Sequence, residues 1–265
     1  MVRRARLDAE LVRRGLARSR GEAAALVNAG RVVVGGQPAG KPATAVAADT
    51  PVFLRTPKDA PTYVSRGGGK LAAALDGFAI DVSGRRCLDA GASTGGFTDV
   101  LLRRGAAEVV AADVGYGQLA WALRTDERVH VLERVNVRSL TPADIGGPVD
   151  LVVADLSFIS LRLVIAALRE CASDEADHVY LVKPQFEAGR DAVGAGGVVR
   201  DPEVRVEAVL SVAAAAAQHG LGAAGVLASP LPGPAGNVEY FLWLRAAAAT
   251  VDESAVRRAV SEGPA

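Results

Sequence analysis

The sequence is poor in the residues that build metal centres and disulfide scaffolds: its 265 residues include two cysteines and three histidines. Cys87 and Cys171 stand far apart and in no ligand-like spacing, so neither a zinc site nor a disulfide framework is expected, and no metal is assigned. Free thiols in a reducing, cytoplasmic setting are the expectation. Long apolar runs are also lacking. The best candidate, Ala208 to Ala217, ends at Gln218-His219, short of the roughly 18 residues a membrane helix needs. Met1-Val2-Arg3-Arg4-Ala5-Arg6 is charged where a secretory signal would be apolar, so none is expected. Net charge is absent as well, with 30 basic residues against 30 acidic ones.

That balance conceals an uneven distribution. Residues 1–62 hold eleven Arg and Lys against five Asp and Glu, and the remainder holds nineteen against twenty-five. A basic end module beside an acidic body favours a polyanionic partner that meets the N-terminal region first, although a solvated basic face has the same composition.

Leu7, Leu11 and Leu16 are spaced for one face of a short helix. Ser19, with Glu22 three residues on, opens a second helix that runs through Asn28 and stops at Gly30. Arg31 to Val34 reads as a strand, Gly35-Gly36 as a hairpin turn, and the stretch from Ala47 to Leu54 contains a returning strand. Two helices and one small sheet make a compact module. Arg55 to Pro61 carries two prolines and no large apolar residue, marking a junction. The predicted division is residues 1–56, a linker at 57–62, a larger domain over 63–250 and a C-terminal tail over 251–265, and the alanine-rich stretch after Arg245 reads as a surface helix. In the larger domain Lys70 to Phe78 reads as a helix that follows three glycines. Strand-like runs recur at Arg86–Asp89, Val109–Val114, Val129–Leu132, Leu151–Ala154 and Val179–Val182, with helix-like segments between. That alternation predicts an α/β, doubly wound, mostly parallel sheet. Ala223–Ala228 and Val238–Leu244 follow one another without a helix, which predicts a terminal antiparallel hairpin.

The segment Asp89-Ala90-Gly91-Ala92-Ser93-Thr94-Gly95-Gly96-Phe97 joins a strand to a helix through glycines, which let backbone approach a ligand at a helix N-terminus. Asp113, at the end of the next strand, can accept both ribose hydroxyls of an adenosine. A dinucleotide site would space its glycines Gly-x-Gly-x-x-Gly, and this chain has Gly-x-x-x-Gly-Gly. Gly91-Ala92-Ser93-Thr94-Gly95 matches a nucleophile elbow, yet it follows the first strand of its domain, and no loop motif frames His130, His178 or His219. A turn without a ligand is a further alternative. The best fit is an S-adenosylmethionine loop, in which Asp-x-Gly-x-x-x-Gly-Gly cradles an amino-acid zwitterion.

Four charged residues lie at positions suited to chemistry. Asp155 and Lys183 end successive strands on the edge that carries the glycine loop, Glu239 sits in the terminal hairpin, and Lys70 opens the domain's first helix. Each alone has a plainer alternative, since a charged strand end is usually solvated. A sugar hydroxyl is a weak nucleophile at neutral pH, so a base and an alignment device suit methyl transfer to it. A lysine serves as that base only where burial or neighbouring cations favour its free amine, and carboxylates chiefly hold geometry.

Further segments make the resemblance specific. Arg6-Leu7-Asp8, Gly15-Leu16-Ala17-Arg18-Ser19-Arg20 and Gly30-Arg31-Val32 resemble an S4 RNA-binding domain. Tyr63-Val64-Ser65-Arg66-Gly67-Gly68-Gly69-Lys70-Leu71, Asp155-Leu156-Ser157-Phe158-Ile159-Ser160-Leu161, Leu181-Val182-Lys183-Pro184-Gln185-Phe186-Glu187 and Gly236-Asn237-Val238-Glu239-Tyr240 resemble motifs of the TlyA family, the haemolysin-A-like ribosomal RNA ribose methyltransferases. The resemblance covers nearly the whole chain. It implies a Rossmann-like, FtsJ-like methyltransferase fold, with a Lys-Asp-Lys-Glu tetrad on Lys70, Asp155, Lys183 and Glu239. It further implies 2′-O-methylation of cytidine in 16S ribosomal RNA, 23S ribosomal RNA or both, with consequences for capreomycin and viomycin susceptibility. The expected cofactor residues are Asp89, Ala90, Gly91, Ser93, Gly95, Gly96, Phe97, Asp113, Val114, Asn136, Val137 and Asp155. Arg4, Arg6, Arg18 and Arg20 are expected to hold RNA phosphates. Mycobacterial members carry an aromatic-rich interdomain linker, whereas Thr56 to Thr62 here has no Trp. Two rival readings are a membrane-acting cytolysin, suggested by the family's historical name, and a non-catalytic ribosome-binding factor.

Overall fold

The computed structural model describes residues 4–17, 19–28, 30–47, 50–54, 63–189, 192–246 and 248–263. The chain divides into two compact units, one of residues 1–62 with 264–265 and one of residues 63–263. The predicted linker at 57–62 lies outside the described residues.

The first unit comprises β1 (Arg4–Arg6), α1 (Leu7–Arg13), α2 (Arg20–Asn28), β2 (Val32–Val34), β3 (Gln37–Pro38), β4 (Ala45–Ala47) and β5 (Val52–Leu54). Leu7 and Leu11 from α1 pack on Ala23 and Val27 of α2, with Val32 and Val46 completing a small core. Ser19 Oγ accepts from the Glu22 backbone N–H at 3.1 Å, the helix start its position predicts. Gly35 and Gly36 both have positive φ, the conformation a two-residue hairpin turn requires. The single predicted sheet is in fact two. One has the order β3-β2-β5, and β1 pairs with β4 separately. The three residues of β1 are too short, and two of them too charged, to carry a strand signal.

The second unit comprises α3 (Arg66–Gly77), β6 (Arg86–Ala90), α4 (Gly96–Arg103), β7 (Glu108–Asp113), α5 (Trp121–Arg124), β8 (Val129–Glu133), β9 (Val149–Ala154), α6 (Ile165–Glu170), β10 (Ala172–Val182), α7 (Pro184–Glu187), α8 (Pro202–Ala217), β11 (Leu221–Ala228), β12 (Tyr240–Ala246) and α9 (Glu253–Glu262). The seven-stranded sheet has the order β11-β12-β10-β9-β6-β7-β8. Only β12 runs against the others, between β10 and β11. Alternate strand residues feed opposite faces. Leu88, Val110, Val152 and Tyr180 join a core roofed by α6, α8 and α9. Cys87, Val109, Leu151 and Val179 join a core roofed by α3 and α4. Strands buried on both sides explain why these segments read as continuous apolar runs. The chain reverses its direction across the sheet at β6, whose neighbours are β7 and β9. The carboxyl ends of those strands therefore frame a crevice.

Two details depart from the sequence reading. The helix predicted from Lys70 begins at Arg66, so Gly67, Gly68 and Gly69 form its first turn. A Cβ on Gly68 would lie 2.4 Å from Tyr63 Cβ, so the glycine is there for close packing and not for a break. The segment expected to be a surface tail is α9, which buries Val256, Ala259 and Val260 in the core it shares with α8. A helix is expected there; its burial is not, because the alanine-rich approach and charged outer face read as surface. We predict that Val256→Asp destabilises the protein by about 3 kcal/mol or more in urea unfolding, because it buries an unpaired charge; a change within about 0.5 kcal/mol would show that α9 is peripheral.

Candidate active site

The glycine turn between β6 and α4 is built by close approaches. Gly91 has φ +89°, and a Cβ there would sit 2.7 Å from the Asp155 carbonyl oxygen, so no side chain fits between the two strand ends. Ser93 also has positive φ, at 47°. Its backbone N–H is thereby turned to donate to Asp113 Oδ2 at 2.8 Å, while Gly115 N donates to Oδ1 at 2.6 Å. Two backbone donors thus fix the acid at the end of β7. Gly96 carries the close contact on the other side, where a Cβ would lie 2.1 Å from Ser65 Oγ.

Two cavities open beside this turn and share Gly91, Ser93, Asp155 and Ser157. One, of about 520 Å³, is lined by Asp113, Val114, Gln118, Val135, Asn136, Val137, Leu156, Phe158, Ile159 and Val164. It has an apolar wall, with Asp113 and the amides of Gln118 and Asn136 at its edge. Asn136 Oδ1 also caps the short turn that follows it, accepting from Arg138 N at 3.1 Å. The other cavity, of about 390 Å³, is lined by Lys70, Asp155, Lys183 and Glu239 together with Ser65, Arg66, Gly67, Gly96, Phe97 and Pro234.

Four charged groups distant in sequence therefore face one space. Lys70 Nζ donates to Glu239 Oε2 at 2.5 Å. Lys183 Nζ lies 2.7 Å from Asp155 Oδ1 and donates to Ser157 Oγ at 2.9 Å. Lys70, Lys183 and Glu239 are 7%, 8% and 1% exposed, so each lysine is held against an acid at little contact with water. Glu239 Oε1 has no partner of its own. A Cβ on Gly233 would come within 2.4 Å of that oxygen, so a glycine leaves it room.

The predicted cofactor residues separate into two groups. Gly91, Ser93, Gly96, Phe97, Asp113, Val114, Asn136, Val137 and Asp155 line one cavity or the other. Asp89, Ala90 and Gly95 stand behind the wall. Gly95 has φ +96°, and its missing Cβ makes room for Leu119 and Leu123. Asp89 is wholly buried, accepts from Thr98 Oγ1 at 2.6 Å and leaves Oδ1 unpartnered. Burial pushes its carboxyl up to about 7. Sequence reasoning missed Ser157, Gln118, Arg66 and Pro234. Ser157 had a signal, since it stands two residues beyond Asp155 on an extended exit; the others owe their place to tertiary packing.

In the first unit, the buried Asp8 carboxylate holds two guanidinium groups. It accepts from Arg6 at 3.1 and 2.9 Å and from Arg20 at 3.1 Å. The bonds from Arg6 hold its carboxyl well below the usual range. Both arginines remain more than half exposed. Arg4 shares the strand with Arg6, two residues away. Arg18 lies outside the described residues.

The residues present fit S-adenosylmethionine: an apolar slot for a purine, an acid at the end of β7 for a diol, and glycines that let backbone come close. Sheet order and cleft together define a methyltransferase of the FtsJ-like class preceded by an S4 domain. Sequence profiles agree, with FtsJ-like methyltransferase matching residues 63–246 and S4 domain matching residues 5–51. Over the full length of both chains, the protein is 65% identical to the 16S/23S rRNA (cytidine-2′-O)-methyltransferase TlyA of Mycobacterium tuberculosis. Hemolysin A of Brachyspira hyodysenteriae is 39% identical over 67% of this chain and 75% of that one. The solved structure of a candidate hemolysin from Streptococcus thermophilus is 38% identical, with a TM-score of 0.75, and the match covers 99% of this chain and 96% of that chain. The chain belongs to the TlyA family of FtsJ-like methyltransferases. Among the described residues no helix is long and apolar enough to cross a membrane.

The buried Asp89 yields a pH prediction. Its folded-state affinity for a proton exceeds that of the unfolded chain, so the folded state holds the proton from about pH 4 to about pH 7 while the unfolded state releases it. Stability from this group therefore falls as pH rises through that window. Relative to the parent, Asp89→Asn should gain stability between pH 4 and 7 in urea unfolding. A difference that does not change with pH would contradict the buried, proton-holding state.

Proposed function

We propose that the protein transfers a methyl group from S-adenosylmethionine to the 2′-hydroxyl of a cytidine ribose in ribosomal RNA, acting on ribosomal subunits in the cytoplasm. The convergence of Lys70, Asp155, Lys183 and Glu239 on one cavity beside the glycine turn carries this reading. The sequence likeness to a cytidine-2′-O-methyltransferase gives it its substrate. We assign residues 1–56 to RNA docking and 63–250 to catalysis, with α9 as part of the catalytic unit's packing.

When bound, S-adenosylmethionine supplies an electrophilic methyl on a sulfonium whose departure leaves a neutral thioether. The chain's own groups bind and align. Asp113 receives the cofactor's ribose, Val114, Asn136 and Val137 flank its purine, and the Gly91–Phe97 turn lies beside its amino-acid end. Lys183 receives the ribose hydroxyl and aligns its oxygen with the methyl, and the proton that the hydroxyl loses passes to the Lys183–Asp155 pair. Asp155 and Ser157 fix the Lys183 side chain, and the Lys70–Glu239 pair closes the opposite wall. Holding two reactants in register is the larger part of what such a site contributes. Arg6 and Arg20, pre-set by Asp8, together with Arg4 and Arg18, hold phosphates, which sets position with little reading of bases.

The test is to incubate the protein with methyl-labelled cofactor and each purified, unmodified ribosomal subunit, then to digest the RNA to nucleosides. Label on a cytidine 2′-oxygen is the expected result. Label on a base, or none on either subunit, would overturn the reading. In the same assay Lys183→Ala should lower methylation by about 10²-fold or more while leaving cofactor affinity within a few-fold by calorimetry. A second prediction concerns docking. Arg6→Ala with Arg20→Ala should weaken subunit binding and reduce the slope of log affinity against log salt by about 2. An unchanged slope would remove these arginines from the interface.

A further inference from the structure

Two of the segments that mark the family, Asp155 to Leu161 and Lys183 to Glu187, supply one member of the tetrad each, and most of their other residues have no part in the reaction. The structure joins those remaining residues to one another. Glu187 ends α7, four residues after Lys183, and is 7% exposed. Its Oε2 accepts from Ser160 Oγ at 2.5 Å, and its Oε1 accepts from the Leu161 backbone N–H at 2.7 Å. Arg162 Nε lies 3.4 Å from Oε2, and Arg162 Nη2 donates to the Glu187 carbonyl at 3.1 Å. Midway along the two segments, the rings of Phe158 and Phe186 stand 5.2 Å apart.

The contacts close a ring. At one end Lys183 meets Asp155 and Ser157; at the other Glu187 clasps Ser160 and Leu161. Between them the chain leaves the sheet with little regular structure: residues 155–160 belong to no helix or strand, and Phe158 has φ +64°. Without the far clasp, the segment bearing Ser157 would be tied to the segment bearing Lys183 through the reactive lysine, the Phe158–Phe186 ring contact and the Arg162 bond to the Glu187 carbonyl, none of which fixes the loop at Ser160 and Leu161. A buried carboxylate held by a hydroxyl, a backbone N–H and a nearby guanidinium is a costly group to keep, since its removal from water must be offset by those contacts. That cost suits a device for registering two loops to a fraction of an ångström.

We propose that Glu187 is a positioning residue for methyl transfer: it locks the loop after β9 onto the segment after β10, and so fixes Lys183 against Asp155 and Ser157. The proposal rests on the reading of Lys183 as the group that receives the sugar hydroxyl. Glu187 touches neither RNA nor cofactor in this scheme, and acts only through the geometry of the pair.

Single-turnover methylation of unmodified subunits, at saturating S-adenosylmethionine and saturating subunit, tests it. Rates are taken per folded molecule from melting curves. Glu187→Ala should lower the rate by about ten- to a hundredfold, the scale of a small misplacement of reacting groups, with cofactor affinity by calorimetry within about threefold of the parent. Glu187→Gln keeps an acceptor for the Leu161 N–H and can donate to Ser160, so it should recover most of that loss. Ser160→Ala removes one bond and should fall between them. If Glu187→Ala fails to fold, the Ser160→Ala and Glu187→Gln rates decide. Rates per folded molecule within about twofold of the parent for Ser160→Ala and Glu187→Ala would overturn the clasp. So would cofactor affinity that falls in step with the rate, or a Gln variant as slow as the Ala variant. Absence of ribose methylation by the unaltered protein would instead sink the reading of the site on which the clasp depends.

Discussion

A buried ion pair between residues 169 positions apart holds the site together. Lys70 stands in the first turns of α3, which opens the catalytic unit, and Glu239 stands just before β12, its last strand. Taking either charge out of water alone would cost several kcal/mol, and the two are tolerated because each is the other's partner. Lys183 and Asp155 repeat the arrangement at the ends of β10 and β9, which are neighbours in the sheet. Both pairs therefore sit where the topology puts ligands, at the carboxyl ends of strands near the point where the chain reverses its direction across the sheet. Charge and sheet order impose the same geometry.

The space these pairs surround is kept open by what is missing from it. Gly91, Gly96 and Gly233 each occupy a point where a Cβ would strike Asp155, Ser65 or Glu239. Ser93 adopts a left-handed conformation so that its N–H reaches Asp113, and two backbone donors orient that acid toward the second cavity. Glu187 performs a related service for the loops. The site is thus a set of backbone approaches with a few charged side chains, and its precision depends on contacts that never meet the substrate. This division also explains why Asp89, in the glycine motif, is not at the surface of either cavity: it braces the turn from behind through Thr98.

Much of this was legible from the sequence. Alternating strand and helix patterns named the sheet class, a hairpin without an intervening helix marked the antiparallel β12, and strand-end positions singled out Asp155 and Lys183. Periodicity and capping reach a few residues, so they served wherever local pattern decides structure. They failed where tertiary contact decides it. Gly68 reads as preceding a helix yet lies in its first turn, where Tyr63 packs in the place of a side chain. Residues 4–6 form a strand only because β4 is available to pair with them. The α9 helix buries three residues against α8 that no short window could connect to a core. Ser157 and Glu187 were in view as motif residues, but their partners lie 26 and 27 residues away on another loop.

The Lys70–Glu239 pair is the most direct point at which to test this account. Urea unfolding of Lys70→Met, Glu239→Gln and the double variant forms a closed cycle. If the pair anchors the site, Lys70→Met leaves a buried carboxylate without its cation and is severely destabilising, and the double variant recovers part of the loss. The predicted coupling is about 2 kcal/mol or more. Effects that add to within about 0.5 kcal/mol would show that the two charges do not depend on one another, and would contradict the arrangement described here.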